Sequence, residues 1–154
     1  MAKESSKEQR SRIMASIRSS NTTPEIKIRK ILYNHGYRYR LNVKKLPTSP
    51  DIAISKYKTA ILINGCFWHY HGCHISHLPK SNREFWQNKI KRNLERDKLG
   101  VSKLLTLGWR VLIIWECAIN GKKKLDSDTL INQIKAFIHS TQIKLAIEGN
   151  INES

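Results

Sequence analysis

The sequence predicts an α/β domain in which helices pack on a mixed central sheet. Two short apolar runs, Thr59–Asn64 and Trp109–Trp115, read as buried strands. Between them a long segment from about Asn82 carries Phe85, Trp86, Ile90, Leu94, Val101, Leu104 and Leu105 at near-helical spacing. The chain has 154 residues, the size of one ordinary domain. Strands interleaved with helices at that length give a single layered core.

Taken in order, residues 1–20 are polar and basic, with Lys3, Lys7, Arg10, Arg12 and Arg18 and a short apolar stripe of Ile13, Met14 and Ile17. They form an N-terminal arm, either frayed or ordered on a polyanion. The domain proper spans 21–140. Thr23-Pro24-Glu25 reads as a helix start with Thr as cap and Pro in the first turn. Ile28, Ile31 and Leu32 then share one face, and His35-Gly36 supplies the stop. Tyr37, Tyr39, Leu41 and Val43 alternate with Arg38, Arg40 and Asn42, a strand with a basic outer face.

Leu46–Pro50 is a loop, and Asp51–Ser55 with Thr59–Asn64 reads as a hairpin whose second strand is apolar enough to be central. Gly65–Pro79 is irregular and dense in Cys, His and aromatic residues. The long helix ends at Leu107-Gly108, with Gly100 as a point of break or bend. After Lys122, Lys123 and Lys124, Asp126 or Asp128 caps a last helix carrying Leu130, Ile131, Ile134, Phe137 and Ile138. Residues 141–154 read as a C-terminal tail.

A hydrophobic share of 40% excludes wholesale disorder. Lys and Arg number 28 against 12 Asp and Glu, a formal net charge of +16. So large an excess on one domain points to a polyanion, nucleic acid above all. A membrane partner is not expected. The runs Ala60–Ile63 and Val111–Trp115 are far below the roughly 20 residues that span a bilayer, and neither a long amphipathic helix nor a lipid anchor is evident. The polar start Met1–Ser6 carries no export signal, and three cysteines make no disulfide framework. A cytoplasmic protein is the expectation.

Three local patterns carry chemistry. Cys66-Phe67-Trp68-His69-Tyr70-His71-Gly72-Cys73-His74 is a zinc-ligand pattern, because thiolate and imidazole are the donors zinc prefers, four at a time. Cys66, His71 and Cys73 can converge within one loop. Cys117 is the natural fourth ligand, with His69, His74 and His77 in competition. The plainer alternative is unrelated buried thiols beside a surface histidine cluster. Second, Asp51 follows Pro50 where a loop enters a strand, opposite Glu25 near a helix start. Such carboxylates hold magnesium against a phosphodiester, whose charge must be neutralised during cleavage, although Pro-Asp also recurs in ordinary turns. Third, Phe67, Trp68 and Trp86 lie among Lys80, Arg83, Lys89, Lys91 and Arg92, a setting suited to stacking on or wedging between bases. Trp109 and Trp115, inside an apolar strand, read as core.

The segments Asn64–Cys73, Phe85-Trp86, Asn93–Asp97 and Gly108–Cys117, in that order, resemble the very short patch repair (Vsr) DNA mismatch endonuclease family from about Arg10 to Phe137. The resemblance implies a restriction-endonuclease-like fold with a structural zinc held by Cys66, His71, Cys73 and Cys117. It implies nicking of double-stranded DNA 5′ of the thymine in a T:G mismatch left by deamination of 5-methylcytosine. It makes Asp51 the magnesium carboxylate, Glu25 an outer residue acting through water, His69 the acid/base, and Phe67, Trp68 and Trp86 the wedge. Asp97 becomes a candidate partner for the His69 ring, solvation being its ordinary alternative. Thr59–Asn64 lacks the acid and lysine of common restriction nucleases, as the repair family does. A monomer in the bacterial cytoplasm, associated with the nucleoid and linked to a cytosine-5 DNA methyltransferase and a repair polymerase, completes the expectation. The competing classes are a zinc-stabilised DNA-binding module without catalysis and a restriction enzyme acting on matched DNA.

The charge alone makes a prediction. Affinity for any DNA duplex should fall about 10³-fold or more between roughly 50 and 200 mM salt, through release of condensed counterions. A fluorescence-anisotropy titration that stays flat over that range would refute the polyanion reading.

Overall fold

The structure, a computed structural model, describes residues 22–66 and 80–150. Five strands form one sheet in chain order: β1 (Arg40–Leu41), β2 (Ile52–Ile54), β3 (Thr59–Asn64), β4 (Arg110–Trp115) and β5 (Lys144–Ile147). The β1–β2 and β2–β3 pairs are antiparallel; β3–β4 and β4–β5 are parallel. Parallel neighbours require a crossover, and helices supply both. The helix α2 (Arg83–Thr106) lies between β3 and β4, and α4 (Ser127–Ile138) between β4 and β5. The helix α1 (Thr23–Asn34) precedes the sheet, and the single turn α3 (Glu116–Ile119) follows β4 directly. The mixed sheet flanked by helices is therefore as the sequence predicts, with β3 at its centre.

Strand alternation divides the core into two layers. Ile61 of β3 with Leu112 and Ile114 of β4 join Ile28 and Leu32 of α1 and Leu130, Ile134 and Phe137 of α4. Ala60 and Leu62 of β3 with Val111 of β4 join Val101 and Leu104 of α2 on the opposite face. Both faces are covered, which is why β3 and β4 read as continuous apolar runs rather than alternating ones. Trp109 packs with this second cluster, as its core reading requires.

Several boundaries differ from expectation. The cap of α1 is Thr22 rather than Thr23, its Oγ1 accepting the Glu25 N–H at 3.5 Å. The strand expected over Tyr37–Val43 shortens to Arg40–Leu41. Tyr37 is buried and Tyr39 half-buried, but Leu41 is exposed and Asn42 turns the chain at φ 47°. Helix α2 runs unbroken through Gly100, which is buried rather than a bend. Residues 144–147, read as tail, are the strand β5, paired in register with Val111–Ile114. Asp126 is the cap of α4, and hydrogen bonds from the Thr129 hydroxyl and N–H hold its carboxyl below the usual range. No helix among the described residues is long and apolar enough to cross a membrane.

Arg110 explains why β5 can join the sheet. Its guanidinium donates to the carbonyl oxygens of Phe137, Ile138 (2.9 Å) and Ser140 (2.9 Å), and its Nε to that of Gln142 (2.8 Å). One cation thus satisfies the last carbonyls of α4, where the helix dipole is negative, and fixes the turn into β5. Arg110→Ala would remove this donor from the Ile138, Ser140 and Gln142 carbonyls, whereas Phe137 O keeps the Ser140 N–H (3.1 Å) and hydroxyl (2.8 Å). A loss of about 3 kcal/mol in urea denaturation is expected, with Arg110→Lys recovering little because an ammonium cannot reproduce the fork. Loss within about 0.5 kcal/mol would show the clamp to be dispensable.

Candidate functional site

The carboxyl ends of β3 and β4 bring candidate residues together, the region where open α/β sheets ordinarily place their functional groups. Asp51 stands immediately before β2. Its backbone oxygen accepts the Asn42 N–H at 3.1 Å, and its Oδ2 accepts the Ile63 N–H at 2.7 Å. The carboxylate is half-buried and oriented by the neighbouring strand near the end of β3. A fixed, partly accessible carboxylate of this kind suits a hard divalent cation, for which oxygen is the preferred donor.

The two described cysteines meet at the same end. The register of β3 on β4 pairs Asn64 with Trp115, and each cysteine lies two residues beyond its strand's last residue. The two segments stay together past the strands: Cys117 N–H, in α3, donates to Cys66 Sγ at 3.3 Å. Gly149 N–H donates to Cys117 Sγ, also at 3.3 Å. Both side chains are fully buried and neither is in a disulfide. Sulfur is a donor that zinc prefers, and the two sulfurs stand on adjoining segments of chain. These two residues fit the sulfur half of a zinc site. The other proposed ligands, His71 and Cys73, lie outside the described residues, as do His74 and His77. Among the described residues alone no group of three or more His, Cys, Asp or Glu could hold a metal.

Other expected participants lie on helices α1 and α2. Glu25, in the first turn of α1, is 3% exposed and bonds through Oε2 to Arg29 Nη2 at 3.1 Å. It is a rigid carboxylate already bound to a cation. Asp97 is half-buried on α2. Trp86 is half-buried near the start of α2, edge-on to the exposed Phe85 ring at 5.4 Å, with Lys89 Nζ 5.9 Å from its centroid. His69, Phe67 and Trp68 lie outside the described residues, as does the arm 1–20.

Three further residues escape sequence reasoning. Glu116 Oε1 accepts the Cys66 N–H at 3.2 Å, tying the chain beyond β3 to the end of β4. Ile63 acts through its backbone, which no side-chain pattern signals. Gly149 passes so close to the Cys117 turn that a Cβ there would lie 2.5 Å from the carbonyl oxygens of Cys117 and Lys123. Only its glycine identity could have hinted at this.

Comparisons with known proteins agree with the resemblance carried by the motifs. The family model described as DNA mismatch endonuclease Vsr matches residues 3–75. The DNA mismatch endonuclease Vsr of Escherichia coli (strain K12) is 38% identical over 138 residues, covering 90% of this chain and 88% of that protein. A type II nicking enzyme of Neisseria meningitidis serogroup A, V.NmeAIP, is 46% identical over 113 residues, covering 73% and 81% respectively. V.XorIIP, a type II nicking enzyme of Xanthomonas oryzae, is 41% identical over 122 residues, covering 79% and 90%. Identity at this level over nearly the full length of both chains leaves one conclusion: the chain belongs to the Vsr family of DNA mismatch endonucleases.

Proposed function

We propose that this protein nicks one strand of duplex DNA 5′ of the thymine in a T:G mismatch, by magnesium-dependent hydrolysis of the phosphodiester. The endonuclease class follows from the family. The observation that supports the chemistry is the Asp51 carboxylate, held by the Ile63 N–H at 2.7 Å near the end of the central strand. Magnesium, when bound there, supplies positive charge against the phosphate as its negative charge accumulates.

The remaining work belongs to side chains. Asp51 holds the cation, with Glu25 contributing through water. His69 takes the proton from the attacking water, a task suited to an imidazole whose ordinary pKa is about 6.5. Asp97 would fix the orientation of that ring. Phe67, Trp68 and Trp86 enter the base stack beside the mispaired thymine, where a wobble pair is cheaper to open than a Watson–Crick pair. A nick needs one active site, so a monomer suffices. The lesion presupposes a cytosine-5 DNA methyltransferase, and the nick calls for a repair polymerase on the same nucleoid DNA. Zinc, held by Cys66, His71, Cys73 and Cys117, would tie the aromatic loop to the end of β4 in the restriction-endonuclease-like fold.

A nicking assay with magnesium on matched and T:G duplexes tests the activity. Nicking of T:G duplex alone is expected; equal cleavage of both would indicate a restriction enzyme, and no cleavage a binding module. Asp51→Asn should abolish nicking while mismatch binding persists. His69→Ala should be equally inactive yet retain its zinc; loss of zinc and fold would transfer the ligand role from His71 to His69.

Metal analysis should find one zinc per chain. Cys117→Ala should then lose the metal and destabilise the fold, by less than the roughly ten kcal/mol of isolated fingers because the core shares the task. An active preparation without zinc would rule the site out.

A further inference from the structure

The loop that delivers Asp51 to the site has an unusual backbone. Thr48 and Ser49 are both left-handed, at φ 61° and 46°. Two successive non-glycine residues rarely adopt this conformation, and a β-branched threonine does so with particular difficulty. Such backbone persists where its surroundings over-determine it, and it collects at functional sites. The surroundings here are specific. Leu46 packs on the Ala60–Leu62–Val101–Leu104 cluster beneath α2. Ser49 N–H donates to Leu46 O at 3.1 Å, and Val43 N–H to Pro50 O at 3.2 Å.

This loop meets α2 at Gly100. A Cβ built on Gly100 would overlap the Thr48 Cγ2 methyl, with Thr48 Cβ at 3.2 Å. Glycine inside a helix is unfavourable, yet α2 runs through Gly100 without a break. Its lack of a side chain serves close approach: the Thr48 methyl occupies the space that any other residue at 100 would fill.

We infer that Gly100 and Thr48 form a lock by which α2 positions the Asp51 carboxylate. Thr48 is three residues from Asp51, and the chain between them is Ser49 and the buried Pro50, a short and stiff connection. The far end of the connection is the Asp51 Oδ2 bond to Ile63 N–H. Displacing Thr48 therefore displaces a carboxylate, and a misplacement of about 1 Å in a catalytic group can cost about 10²-fold in rate. Both are positioning residues. The inference rests on the reading of Asp51 as the magnesium carboxylate.

The test moves one methyl group across the contact, with purified full-length protein. Gly100→Ala should lower single-turnover nicking of a T:G duplex about 10²-fold and shift the backbone amide resonance of Ile63, with the Kd for that duplex unchanged. Adding Thr48→Ser, which removes Cγ2, should restore both the rate and the resonance. Failure of the double variant to recover, or an unmoved Ile63 resonance in Gly100→Ala, overturns the lock. Should Gly100→Ala fail to fold, Thr48→Ser alone introduces no clash and only removes the contact. It should speed hydrogen exchange at the Ile63 amide and reduce nicking several-fold; unchanged exchange overturns the proposal. Asp51→Asn keeps the two readings apart. An active Asp51→Asn enzyme defeats the carboxylate assignment itself, whereas an inactive one beside a fully active Gly100→Ala defeats the lock alone.

Discussion

The parallel, in-register pairing of β3 with β4 is the constraint on which the other features depend. Ala60 and Ile61 of β3 and Val111, Leu112 and Ile114 of β4 are completely buried, and a large aliphatic side chain taken fully out of water contributes about 1.5–3 kcal/mol. Because successive residues face opposite layers, a slip of one residue would move each apolar set to the wrong face. The same register sets Cys66 beside Cys117, while the antiparallel register of β2 on the other edge of β3 presents the Ile63 N–H to Asp51. Burial of the central strands and the meeting of the two cysteines are two consequences of one pairing.

Around that pair the polar interactions act mainly as ties between segments distant in sequence. Glu116 holds Cys66 across 50 residues, Arg110 fastens the end of α4, and Lys27 Nζ reaches the Ile119 carbonyl at the end of α3. Each places a charged group on backbone partners, where a hydrogen bond is stronger than between neutral groups. Among the described residues many other cations are exposed, including Arg40, Lys44, Lys45, Lys91 and Arg92. Their mutual repulsion opposes compaction and is relieved on binding a polyanion, so the charge excess is better understood as part of DNA affinity than of the fold.

The environments of the two kinds of candidate ligand differ. The thiols lie fully buried with N–H donors at sulfur, suited to a closed structural site. Asp51 is half-buried at a strand entrance, suited to a cation that must also contact substrate. Glu25 is the least expected of the group, since its ion pair with Arg29 makes it as much a part of α1 as of any metal environment.

The central strands, the helix faces and the charge were legible in the sequence, because each depends on local periodicity or on composition. The sequence also carried the family, through the cysteine–histidine loop and the Trp-Glu-Cys strand end. What it misplaced depends on contacts distant in the chain. Gly100 looks like a helix break until Thr48 is seen lying against it. Residues 144–147 look like tail because their strand forms only once β4 offers an edge and Arg110 fixes the approach. The β1 strand shortens because Asn42 turns the chain toward Asp51. Only the tertiary structure could decide these, because each side of every such contact is unremarkable until folding brings the two together.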